Sequence, residues 1–169
     1  MKRTALIATS VLISSTPAFA HAGHGIASGF MHPLLGWDHL AAMLAVGAWG
    51  AMLGARAIWA APLAFVFAMV AGAALGMTGV ELSFVETMIL ASVVVLAGFV
   101  VTQVKMPVWS GMAITGLFAL AHGFAHGSEM PAIANAWVYG AGFVTATLMI
   151  QTLGAITAMT VIKLRAVKA

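Results

Sequence analysis

The chain has 169 residues, 63% of them hydrophobic and 7% charged, with a mean hydropathy of +1.09. Soluble domains carry about a quarter charged residues, so this composition cannot clothe a water-facing surface and implies an integral membrane protein. The net charge of +3 and a pI near 9.8 do not imply nucleic acid. The few bases never cluster with exposed aromatic residues and read instead as orientation signals.

In chain order, residues 1–20 have the form of a secretory signal peptide. Lys2 and Arg3 make a basic start, residues 5–13 an apolar run, and Ala18-Phe19-Ala20 a small-x-small cleavage site. An uncleaved first helix is the competing reading, but the run is short for a span. Cleavage after Ala20 is therefore expected, leaving 21–169 as one transmembrane helical domain. The mature chain would begin His21-Ala22-Gly23-His24, a segment suited equally to chelating a metal outside and to simple solvation.

About 20 apolar residues cross the hydrocarbon core as a helix, and the remaining chain offers about five such stretches. They fall near 34–53, 59–77, 82–104, 108–127 and a long one from 132 to near 162. Gly54-Ala55-Arg56, Gly76 to Gly79, Lys105-Met106-Pro107 and Ser128 to Pro131 mark the breaks. The last stretch is too long for one upright span and too short for two. With Trp137 and Tyr139 at the interface, about 24 residues are left to cross; a re-entrant segment is the alternative. The expected fold is all-α, a polytopic bundle of about five helices after the signal.

Five spans beginning outside place Arg56, Lys105 and the Lys163/Arg165/Lys168 tail in the cytoplasm, as the positive-inside rule requires. The expected location is the bacterial cytoplasmic membrane, amino terminus outside. There is no cysteine, hence no disulfide or thiolate ligand. No Gly-Lys-Ser/Thr phosphate loop is present, so the chain does not hydrolyse ATP. Gly72, Gly76, Gly123 and Gly127 read as close-packing positions between membrane helices.

The polar residues sort by end. His32, Asp38, His39, Glu86, His122, His126 and Glu129 gather at the end opposite the bases, and ionisable groups in a membrane tend to be functional. In His32-Pro33-Leu34-Leu35-Gly36-Trp37-Asp38-His39, the proline disfavours helix at His32 and lets the chain fold back. A turn plus a helix start can then bring three donors together; Asp38 as a plain helix cap is the bland alternative. In His122-Gly123-Phe124-Ala125-His126-Gly127-Ser128-Glu129, the i,i+4 histidines and the i,i+3 carboxylate share one helical stripe. Such a histidine pair is a common chelating arrangement, with interface histidines bonded to carbonyls as the alternative. One of the two could instead orient a ligand rather than bind. Glu86, about one turn into its helix, is a third contributor, whereas Glu81 falls in a turn and reads as solvated. Met43 is a soft-ligand candidate against a background in which most methionines pack. Imidazole and carboxylate without thiolate suit Ni²⁺, Co²⁺, Zn²⁺ or Mn²⁺ better than Cu⁺.

These two constellations resemble the signatures of the HupE/UreJ family of bacterial nickel/cobalt permeases. The family's His-x5-Asp-His pattern matches His32 with Asp38-His39, and its His-Gly-x-Ala-His-Gly-x-Glu pattern matches residues 122–129. The likeness extends through Gly36, the 41–47 stretch, the signal and the chain length; Ala121 departs from the family's usual Phe. The resemblance implies import of Ni²⁺ or Co²⁺ as transported substrate, with no prosthetic group. It assigns metal handling to His32, Asp38, His39, His126 and Glu129, and less firmly to Glu86 and His122.

The expected mechanism is potential-driven facilitated diffusion through an outward-facing site. Beyond that site only neutral groups such as Gln103, Gln151 and Thr152 are available, which favours release. The expected partners are a divalent metal ion and the lipid bilayer, without nucleic acid or an ATPase subunit. Self-association into a homo-oligomer stays open. Two rival readings use the same donors: an intramembrane zinc-dependent hydrolase cleaving a lipid amide or ester, and a haem-binding anchor with axial histidines.

Overall fold

The computed structural model describes residues 25–54, 56–130 and 135–168. The signal peptide, the His21/His24 segment and Pro131 lie outside the described residues. Among these residues six helices follow one another: α1 (Ile26–Leu35), α2 (Trp37–Leu53), α3 (Ala57–Gly76), α4 (Val85–Thr102), α5 (Val108–Ser128) and α6 (Ala136–Lys168). No strand occurs among the described residues. The protein is an all-helical membrane bundle.

Helices α3 to α6 are each long and apolar enough to span a membrane. Helix α2, with 17 residues, extends about 26 Å and nearly spans as well. The stretch expected as 34–53 is in fact divided at Gly36, whose extended backbone (ψ 110°) separates α1 from α2. The expected fold-back at His32 is corrected: Pro33 lies inside α1, so His32 is helical. Pro33 leaves the Gly29 carbonyl without its helical donor, and its ring crowds that same carbonyl. The change of direction falls instead on Gly36.

The long terminal stretch is a single helix of 33 residues, about 50 Å from end to end. Trp137 at its start is exposed, as an interface residue would be, but Tyr139 is buried. Its backbone faces Gly29 of α1, and that short helix covers it.

Glycine sets the spacing between helices. A Cβ at Gly123 or Gly127 would strike the backbone of Met69 or Ala73, and one at Gly72 or Gly76 would strike Leu120 or Phe124. Helices α3 and α5 thus meet backbone to backbone, the contact that membrane helices achieve with small residues. Helix α6 is held in the same way, by Gly29 and Gly142 against α1 and by Gly47 and Gly154 against α2. At the basic end, Trp49 Nε1 donates to the Val104 carbonyl (3.0 Å) and Lys105 Nζ to the Met52 carbonyl. These bonds tie the end of α2 to the α4–α5 turn and leave the histidines at the opposite end.

Gly123→Val should lower stability by about 1–3 kcal/mol, the usual cost of forcing bulk into a closed contact. Gly98 of α4 has nothing within 4 Å of its Cβ position, so Gly98→Ala should leave stability unchanged or raised. Thermal unfolding of the two variants in detergent checks the contrast.

Candidate metal site

Three helices bring four imidazoles into contact. His32 comes from α1, His39 from the first turn of α2, and His122 and His126 from the last two turns of α5. Gly123 and Gly127 seat α5 on α3, and the histidine stripe one position away turns toward α1, α2 and α6, with His122 also beside Phe65 of α3. The His126 ring lies edge-on to His32 (centroids 4.7 Å) and beside His39 (4.4 Å), while His39 meets His122 at 4.7 Å. Phe143 of α6 closes one flank, 4.3 Å from the His126 ring. His122 is fully buried, His126 is 5% exposed, and His32 and His39 are partly open.

Hydrogen bonding orients two of these rings. His39 Nδ1 lies 2.8 Å from Asp38 Oδ1, which also accepts the His39 backbone N–H at 2.8 Å. A carboxylate only accepts, so Nδ1 carries a proton and, in the neutral ring, Nε2 keeps its lone pair. His122 Nε2 lies 2.8 Å from Ser92 Oγ of α4, and that hydroxyl lies 2.6 Å from the Ile89 carbonyl. The carbonyl takes the hydroxyl proton, so His122 Nε2–H donates to Ser92 and Nδ1 keeps its lone pair. His39 Nε2, His122 Nδ1 and both nitrogens of His126 are buried without a partner among the described residues. Each buried polar atom left unmet costs roughly 1–3 kcal/mol, and a divalent cation would answer several at once.

Glu129 joins from the carboxyl end of α5. His32, His126 and Glu129 each offer a donor atom within 4.8 Å of the other two, and His32 Nε2 lies 4.0 Å from Glu129 Oε2. Glu129 also lines a cleft of about 440 Å³ with Glu81 and Glu86. Its side chain is more than half exposed, yet partial desolvation and then the Glu86 carboxylate raise its pKa above the usual range. A bound cation would reverse that shift.

Six of the seven residues singled out by sequence therefore come together. Glu86 stands apart from the rings, exposed at the start of α4 and sharing the acidic cleft. Asp38 does not simply cap α2 but orients His39. Met43 is fully buried in the main apolar core. Sequence reasoning missed Ser92. A serine inside an apolar helix carries no local signal of a partner 30 residues away.

Ser92→Ala should weaken Co²⁺ binding by about tenfold, the lower end of what a lost ligand-orienting contact costs. Titration of the purified protein by visible absorption reads the affinity; an unchanged value would reduce Ser92 to a packing residue.

A family model described as HupE / UreJ protein matches residues 9–168. Protein HupE of Rhizobium leguminosarum bv. viciae is 40% identical over 153 residues, covering 88% of this chain and 80% of its own. No solved structure matches. The match spans both histidine constellations and every helix described above, and on that basis the chain belongs to the HupE/UreJ family.

Proposed function

We propose that this protein imports Ni²⁺ or Co²⁺ across the bacterial cytoplasmic membrane by facilitated diffusion driven by the membrane potential. Family membership supports a nickel or cobalt transporter in general terms. The observation that carries the finer reading is the set of buried imidazole nitrogens whose lone pairs have no partner.

In this reading the histidine end faces outward and the Arg56/Lys105 end faces the cytoplasm. The acidic cleft at Glu81, Glu86 and Glu129 concentrates divalent cations, as a cleft lined by one sign of charge does. Glu129 and His32 receive the ion at the mouth, and His126 passes it to the His39/His122 pair. Each imidazole replaces a water of hydration. Nitrogen donors favour nickel and cobalt over the harder magnesium and calcium, and the lack of thiolate keeps affinity moderate enough for release.

The driving force is sufficient without ATP. Moving a divalent ion to a negative interior gains about 4.6 kcal/mol per 100 mV, twice the single-charge value. That corresponds to roughly a thousandfold accumulation. Chemistry on a substrate is not required of any residue, so the protein is read as a permease and not an enzyme.

In proteoliposomes with an imposed inside-negative potential, the wild-type chain should take up Ni²⁺ or Co²⁺ faster than Zn²⁺. His126→Ala should lose that uptake. Asp38→Ala should slow it by about tenfold or more, through loss of the group that orients His39. A folded Asp38→Ala protein transporting at the normal rate would count against the assignment. So would a wild-type chain that binds metal tightly and passes none.

A further inference from the structure

All buried side-chain nitrogen and oxygen atoms without a partner, among the described residues, belong to three histidines or to Gln151. The histidines have been accounted for; Gln151 has not. It is 1% exposed, and both its amide nitrogen and its amide oxygen are unmet. In a hydrocarbon-bounded bundle an unmet amide is costly, and polar groups kept there tend to serve function.

Gln151 continues a line that begins at the histidine cluster. Tyr139, Phe143, Thr147 and Gln151 recur every four residues on α6, and all four are buried. Phe143 touches the His126 ring. One turn further, Thr147 Oγ1 lies 3.9 Å from the Met69 sulfur of α3. Met69 and His126 also line the same apolar groove of about 430 Å³, so the residue bonded by Thr147 borders the space beside the cluster; Thr147 and Gln151 themselves lie outside that groove. The Gln151 backbone seats against Gly47 of α2, which holds this turn of α6 inside the bundle. The other neutral candidates are elsewhere: Gln103 is an exposed helix cap, and Thr152 is exposed and bonded to the Leu148 carbonyl.

We propose that Gln151, with Thr147 and the Met69 thioether above it, forms a second, neutral cation station below the histidine cluster. It would receive partly hydrated Ni²⁺ or Co²⁺ in transit. Phe143 and Gln151 are eight residues apart on α6, which sets the step at about 12 Å. The amide oxygen binds the ion, while the amide N–H stays without a partner among the described residues. Oxygen and thioether donors without charge bind weakly, and an ion there is held against hydrocarbon without being trapped. The proposal rests on the import reading.

The test uses the full chain, with Gln151→Leu and Gln151→Glu. In proteoliposomes Gln151→Leu should slow Co²⁺ uptake by about tenfold or more, as expected for loss of one contact to a charged group. Its Co²⁺ absorption in detergent should match wild type, because the histidine cluster is untouched. Gln151→Glu places a fixed charge at the station and should retain one more Co²⁺ per chain by equilibrium dialysis. Wild-type uptake in Gln151→Leu, or no extra ion in Gln151→Glu, would overturn the station. Should Gln151→Leu fail to fold, the ion count in Gln151→Glu decides alone. A wild-type chain that imports nothing would sink the import reading instead, and the ion count would still judge the station.

Discussion

Backbone contact at glycine is the constraint on which the rest of this molecule depends. Lipid offers no hydrophobic drive between helices, so packing distance carries much of the association. Here Gly123 and Gly127 seat α5 on α3, while Gly29, Gly47, Gly142 and Gly154 seat α1 and α2 on α6. Those contacts bring the last turn of α1 and the first turn of α2 beside the end of α5. Four imidazoles consequently meet there, several of their nitrogens without a partner among the described residues. The paired Gly in His-Gly-x-x-His-Gly is thus part of the site: it seats α5 on α3 and so sets where the neighbouring histidines stand.

The second layer is orientation by hydrogen bonding. Asp38 and Ser92 each hold one nitrogen of a histidine and leave the other nitrogen bare. Neither need touch an ion to matter, because a ring that presents N–H in place of a lone pair cannot bind one. His126 has no such partner and is fixed by the rings around it, including Phe143. Glu129 differs again, sitting between the rings and the acidic cleft.

Much of this was legible in the residues. The breaks at Gly54–Arg56, Gly76–Gly79 and Lys105–Pro107 fell where helices end, because a change of composition and a helix-terminating residue coincide there. The donor stripe of α5 followed from helical periodicity alone. What was not legible depended on tertiary contact. Ser92 is indistinguishable by sequence from a serine bonded only to its own helix. Pro33 suggested a turn, yet Gly36 made it, because proline weakens a helix locally while glycine readily permits its end. Tyr139 looked interfacial until a short helix covered it. Gln151 could be told from Gln103 and Thr152 only by the direction each takes from its helix.

The central claim is that the free imidazole nitrogens of this cluster carry the transported ion. X-ray absorption at the cobalt edge of Co²⁺-loaded protein tests it most directly. The account predicts a first shell that contains histidine nitrogen, with the multiple-scattering pattern of imidazole, reduced in His126→Ala. A shell of oxygen alone, unchanged by that substitution, would contradict it.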